Sequence, residues 1–185
     1  MLIGFTGYAQ SGKSTCAEYL SKDFGFTQVG FADKLREFVE RVNPVVFVGE
    51  DGAQILRYND VLSEYGYEMG KKLFPGFRQA LIDVGNGARD VFHPDFWVLE
   101  LRKSFKPGVN YSFQDVRFLN EARAIQQFGD GIVIRVVRPG IGPLSDDPSE
   151  LEMEQITPDY TIENNLSKDI LLKNVHYYVT KHVRP

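Results

Sequence analysis

Lys13 and Ser14 close the run Gly7-Tyr8-Ala9-Gln10-Ser11-Gly12-Lys13-Ser14, which fits G-x-x-x-x-G-K-[ST]. That spacing suits polyphosphate chemistry when the run joins a strand to a helix. Glycine allows a tight turn and a close approach of backbone to ligand. The N–H groups of the turn and of the helix start then form an anion site. Lys13 is placed to reach the β- and γ-phosphates of a nucleoside triphosphate, and Ser14 to offer its hydroxyl to Mg²⁺. The spacing therefore predicts triphosphate binding with Mg²⁺ as cofactor.

Moving a phosphoryl group onto a small acceptor needs more: a site for the acceptor's anion, cations for the transferring group, and a cover against water. Asp115-Val116-Arg117 is predicted to follow a strand. An acid there suits a Mg²⁺-bound water, and Arg117 suits a bidentate grip on phosphate; a surface ion pair is the plain alternative. Asp33, Lys34 and Arg36 open a predicted helix, where mixed charges are often simply solvated. Arg78 and Arg89, eleven residues apart, share a face if their helix is continuous. Gly85-Asn86-Gly87 predicts that it breaks. Trp97, the only tryptophan, fits either the core or a base-stacking surface. Arg135 and Arg138 bracket the start of an acidic segment. If that segment is a lid, Arg138 is placed to swing onto the phosphates, with the acids facing solvent. His93, His176 and His182 show no metal spacing.

The elements that must position these residues alternate. Leu2 to Thr6 reads as a buried parallel strand, Lys13 to Phe24 as a helix closed by Gly25, and Phe26 to Phe31 as a second strand. A helix follows from Asp33, striped by Leu35, Phe38, Val39 and Val42 and closed by Pro44. Val45 to Val48 and Ile55 to Tyr58 read as a hairpin around Gly49-Glu50-Asp51-Gly52. From Asn59 to Phe105 the pattern is helical, with breaks near Gly66, Pro75, Gly85 to Gly87 and Pro94. A strand from Val109 to Phe113, a helix from Asn120 to Phe128, a Gly129-Asp130-Gly131 turn and a strand from Ile132 to Val137 come next. Arg138 to Pro158 reads as a long irregular loop with acids at Asp146, Asp147, Glu150, Glu152 and Glu154. Tyr160 to Glu163 is the last strand and Ser167 to His182 the last helix. The pattern predicts a three-layer α/β/α fold with a parallel sheet. One domain is expected to span 1–185, with a helical insertion at about 43–106 and a lid at about 138–158.

The chain has 185 residues, enough for one domain with a real core. Its net charge of −4 argues against a polynucleotide partner. The single cysteine, Cys16, forms no internal disulfide and fits a reducing cytoplasm. No apolar run reaches a membrane span, and the phosphate loop begins too early to leave room for a signal peptide. Neither an Asn-Lys-x-Asp nor an Asp-x-x-Gly motif occurs, which counts against a GTPase-like switch module.

Together these stretches resemble the bacteriophage deoxynucleoside monophosphate kinases, within the P-loop nucleotide kinase superfamily. The resemblance rests on the phosphate loop, Phe31-Ala32-Asp33-Lys34-Leu35-Arg36, the stretch from Arg78 to Arg89, and Asp95-Phe96-Trp97-Val98. Asp115-Val116-Arg117-Phe118-Leu119-Asn120-Glu121, Val136-Val137-Arg138-Pro139-Gly140 and Asp146-Asp147-Pro148-Ser149-Glu150 complete it. It implies transfer of the ATP γ-phosphate to a deoxynucleoside monophosphate, in the cytoplasm (the host's, if phage-encoded), by an enzyme commonly dimeric. It implies an ATP and Mg²⁺ site at Ala9, Gln10, Gly12, Lys13, Ser14 and Thr15, with Ser14 at the metal. It implies an acceptor site of Asp33, Leu35, Arg36, Arg78, Gly85, Asn86, Trp97, Asp115, Arg117 and Glu121. Lys13, Arg117 and Arg138 are its implied catalytic residues. The chain departs from the pattern in three places. Asn86 stands where threonine is usual, and Asp147 where many relatives have histidine. Ala9 and Gln10 stand where some carry basic residues, a loss for which Arg135 or Arg138 is expected to compensate. Another P-loop kinase, such as one acting on dephospho-coenzyme A, is the nearest alternative.

Overall fold

In the computed structural model, residues 1–128, 130–143 and 148–182 are described, the side chains of 148–150 excepted. The chain forms two compact units, Met1–Phe31 with Ser104–Pro185, and Ala32–Lys103.

The first unit is built on a five-stranded sheet. Its strands are β1 (Leu2–Thr6), β2 (Thr27–Val29), β5 (Tyr111–Phe113), β6 (Ile132–Val137) and β7 (Tyr160–Glu163). Their order is β2-β5-β1-β6-β7 and every pairing is parallel. Alternation along β1 assigns the two faces. Ile3 and Phe5 enter a core with Cys16, Ala17 and Leu20 of α1 (Lys13–Phe24) and Leu171, Val175 and Val179 of α8 (Lys168–His182). Gly4 turns to the other face, toward Val116 and toward Ile125 of α6 (Leu119–Gln127). A methyl at Gly4 would come within 2.6 Å of Ile125 Cδ1, so the missing side chain lets α6 lie flat on the sheet. The sheet thus carries helices on both faces.

Two predicted strands are shorter than expected. Phe26 and Phe31 flank β2 as buried anchors rather than as paired residues, and Val109 and Asn110 precede β5. The segment expected to be irregular contains a helix, α7 (Pro148–Gln155). Proline at its first position removes no helical hydrogen bond and presets φ. Asp146, Asp147, the Glu150 side chain and Gly129 lie outside the described residues.

The second unit holds α2 (Asp33–Val42), an antiparallel hairpin of β3 (Val45–Val48) and β4 (Ile55–Arg57), α3 (Tyr58–Leu73), α4 (Pro75–Val91) and α5 (Phe96–Arg102). Val39, Val46, Tyr58, Val61, Phe77 and Leu81 form its core. Of the stripe expected on α2 only Val39 is buried, while Phe38 and Val42 are half-exposed. A kink at Gly66 (φ 71, ψ 172) divides α3. The expected break at Gly85-Asn86-Gly87 does not occur, and α4 runs through it. Burial of Phe77 and Leu81 on the same helix outweighs the low helix propensity of two glycines.

Candidate functional site

In the first unit the phosphate loop leaves the end of β1 and runs directly into α1. Two of its glycines are required by geometry. Gly7 has φ 131, and a Cβ there would lie 2.3 Å from the Val136 carbonyl oxygen. Gly12 has φ 112, and a Cβ there would meet the Asn164 amide at 2.7 Å. No other residue type fits both the backbone angle and the space.

Lys13 is the first residue of α1 and only 8% exposed. Its ammonium donates to the carbonyl oxygens of Gly7 (2.6 Å) and Tyr8 (2.8 Å) and lies 3.7 Å from Asp115 Oδ1. Ser14 is exposed, and Thr15 and Ala9 are half-buried. Because β5 and β6 flank β1, the segments leaving them flank the loop. From β5 come Asp115 and Arg117, whose Nε donates to Asp115 Oδ2 at 2.7 Å. From β6 comes Arg138, whose Nη1 donates to the Gln10 carbonyl at 3.4 Å. This is the carboxyl edge of a parallel sheet beside its central strand, where ligands of such folds bind.

Glu121 is buried, and its Oε2 accepts the backbone N–H groups of Arg117 (2.9 Å) and Phe118 (3.2 Å). It therefore caps α6 and fixes the turn that carries Arg117. Arg135, one candidate to replace the missing loop charges, is used elsewhere. Its Nη2 donates to the carbonyls of Met153 (3.0 Å), Glu154 (3.3 Å) and Ile156 (2.7 Å), closing the C-terminus of α7. The acids of α7 do not all face solvent as expected. Glu152 accepts from the Leu119 N–H at 2.9 Å, and Glu154 accepts from the Tyr8 hydroxyl. Helix α7 is thus tied to the phosphate loop, to the start of α6 and to β6.

Asn164 was not visible as a site residue in the sequence. Its Nδ2 donates to the Ser11 carbonyl at 2.8 Å and its N–H to the Val137 carbonyl at 2.7 Å, bracing the phosphate loop from the end of β7. The one available signal was its position just after a predicted strand at the ligand edge.

In the second unit, Asp33, Leu35 and Arg36 lie in the first turns of α2. Arg36 donates from Nη1 to Asp33 Oδ1 at 3.2 Å, and its guanidinium carbon lies 4.8 Å from the centre of the Tyr67 ring. Burial pulls its pKa down, but the Tyr67 hydroxyl, Asp33 and Tyr58 together raise it above the ordinary value. Arg78, Gly85 and Asn86 lie on α4. Since α4 is continuous, Arg78 and Arg89 share a face about 16 Å apart. Gly85 touches Leu35, with 3.2 Å between its would-be Cβ and Leu35 Cδ2, and Trp97 donates its indole N–H to the Gly85 carbonyl at 3.0 Å. Trp97 is 5% exposed with its one polar group engaged, so it acts as a strut for α4. Asn86 and Arg78 are exposed.

Among the described residues no group of three or more His, Cys, Asp or Glu could hold a metal ion, and no helix is long and apolar enough to cross a membrane. The oxygen donors of Ser14 and Asp115 suit Mg²⁺, which takes one or two protein ligands beside substrate phosphates and water.

No protein-family profile matches the chain. The chain is 31% identical over 173 residues to the "Putative deoxynucleotide monophosphate kinase" of Acanthamoeba polyphaga mimivirus, a match that covers 89% of each. Among solved structures, TT1252 from Thermus thermophilus has a TM-score of 0.52 at 17% identity, over 100% of this chain and 98% of that one. The shikimate kinase of Aquifex aeolicus has a TM-score of 0.48 at 14% identity, over 97% and 96%. The Thermus likeness bears on the fold, which it supports as three-layer α/β.

Proposed function

We propose, given that this chain belongs to the deoxynucleotide monophosphate kinase family and is an ATP-dependent phosphotransferase, that its acceptor is a deoxynucleoside monophosphate and its products are the diphosphate and ADP. One observation carries the reading. The loop with Lys13, the Asp115–Arg117 pair and Arg138 meet at a single sheet edge, an arrangement that would give donor phosphates a cradle with cations on both sides.

The loop's N–H groups and the start of α1 would hold the triphosphate, with Ala9, Gln10, Gly12 and Thr15 along it. Lys13 would exchange its two carbonyl partners for phosphate oxygens, a charge-assisted contact worth more than either. Mg²⁺, when bound, would neutralise the β- and γ-phosphates, held through Ser14 and, across water, Asp115. Arg117 and Arg138 would take up the charge that spreads over the transferring group. The acceptor needs no side-chain base, because a monophosphate oxygen is already ionised at neutral pH. Acceptor binding is assigned to Asp33, Leu35, Arg36, Arg78, Gly85, Asn86, Trp97, Asp115, Arg117 and Glu121. Of these, Glu121 and Trp97 would act through the backbone they hold, and Arg36 and Arg117 by direct charge.

The test is ADP release with ATP, Mg²⁺ and each of dAMP, dCMP, dGMP and dTMP, with dephospho-coenzyme A as a separate arm. Turnover with at least one monophosphate is expected. No rate above the acceptor-free control with any of the four overturns the reading, and turnover only with dephospho-coenzyme A replaces it.

A further inference from the structure

We propose that Tyr67 is the positioning residue of the acceptor site. In this view it holds the Arg36 guanidinium in a fixed orientation before a phosphate monoester arrives. The inference rests on the acceptor reading above and adds to it a residue outside the predicted set.

Arg36 is split along its length. Its Nε is buried and has no hydrogen-bond partner among the described residues, yet 41% of the side chain is exposed. The stem is clamped while the tip reaches solvent. One face of the tip lies on the Tyr67 ring at 4.8 Å, and one nitrogen is tied to Asp33. An arginine left free gives up side-chain entropy when it grips an anion; a stacked one has already given it up. An unpartnered buried N–H also costs free energy, on the order of 1–3 kcal/mol. A surface arginine has no reason to bear that cost unless its orientation matters.

The mount is itself built rigidly. The Tyr67 ring stands edge-on to Phe77 at 6.0 Å, and Phe77 stacks on Tyr58 at 4.1 Å with 4° between the planes. Tyr58 and Phe77 are fully buried. Gly66, immediately before Tyr67, holds the left-handed backbone that kinks α3 and reorients the turn carrying the ring. Lys71, one turn on, lies 4.5 Å from the same ring centre. One tyrosine therefore gathers two cations, Lys71 paired with Glu68 at 2.9 Å and Arg36 with Asp33 at 3.2 Å, partners that a dianionic phosphate monoester would replace.

Two variants and two readouts test this. Tyr67→Leu removes the aromatic face and the hydroxyl together, and Tyr67→Phe keeps the face and removes only the hydroxyl. The acceptor KM is expected to rise about tenfold in Tyr67→Leu, with the ATP KM unchanged, and to stay within about threefold of wild type in Tyr67→Phe. Calorimetric titration with the accepted monophosphate, without ATP, should show the same order. Tyr67→Met, which keeps volume against Phe77, serves if the leucine protein fails to fold. Equal acceptor affinity in wild type and Tyr67→Leu, or an equal rise in the ATP KM, overturns the inference while leaving the acceptor reading intact. A wild-type protein that binds no monophosphate overturns the acceptor reading and this inference with it.

Discussion

Lys13 sits in a nearly closed setting, where two loop carbonyls and the Asp115 carboxylate hold its ammonium. Lys13→Ala should leave a folded protein, checked by circular dichroism, with turnover below detection. Arg117→Ala should lower kcat/KM at least about tenfold, roughly 1.4 kcal/mol of transition-state stabilisation. Unchanged kinetics with every monophosphate would remove Arg117 from the site. The loop was legible because its eight residues are contiguous and each glycine answers a local backbone demand. Asn164 was not, because it lies 153 residues from the Ser11 carbonyl it braces, and nothing near it in sequence records that contact. Arg135 stood beside Arg138 as a replacement for the missing loop charges for the same reason: in sequence, two arginines three apart give no sign of what the fold brings to each.

Helix α4 shows how packing overrides propensity. Gly87 lies inside it with nothing within 4 Å of an added Cβ, whereas at Gly85 the added atom meets Leu35 at 3.2 Å. Gly87→Ala should therefore raise stability by about 0.5–1 kcal/mol in urea unfolding, with Gly85→Ala gaining less or losing. A lower midpoint for Gly87→Ala would mean that this stretch is not regular helix. Helix α7 makes the opposite point. Its composition reads as a solvated acidic loop, yet Arg135 of β6 holds its end, and its own Glu152 and Glu154 reach the start of α6 and the phosphate loop. Arg135→Leu should strip three carbonyls of their donor and cost about 1–3 kcal/mol. Faster amide exchange in 150–156 than in the rest of the sheet-bearing unit would report it. Pro148 was the local clue to this helix; the acids around it outweighed that clue because their partners are distant in sequence.

At the scale of the whole molecule, alternating strands and helices made the parallel three-layer fold legible, since a phosphate loop before a helix leaves few topologies. Two buried groups are expected to lower stability as pH rises. Burial pushes the Cys16 thiol up to about 12 from 9.0, and burial likewise pushes the Tyr58 hydroxyl up to about 12 from 10.0. Both hold their protons more tightly folded than unfolded. Their contribution is therefore complete below pH 9 and is lost as pH rises toward 12, at roughly 1.4 kcal/mol per pH unit for each. Urea unfolding between pH 8 and pH 11 should show the decline, and Cys16→Ala should flatten it; an equal slope in the variant would exclude the thiol as a cause. The strand order has a consequence for synthesis. β1 pairs on one side from Tyr111 and on the other from Ile132, while Ala32–Lys103 can close on itself meanwhile. At about 5–20 residues per second, the apolar first strand waits on the order of 5–20 seconds for neighbours after it leaves the ribosome. The phosphate loop, among the first residues made, is among the last to be assembled. The sheet edge that carries the loop can close only after the whole of Ala32–Lys103 has been made.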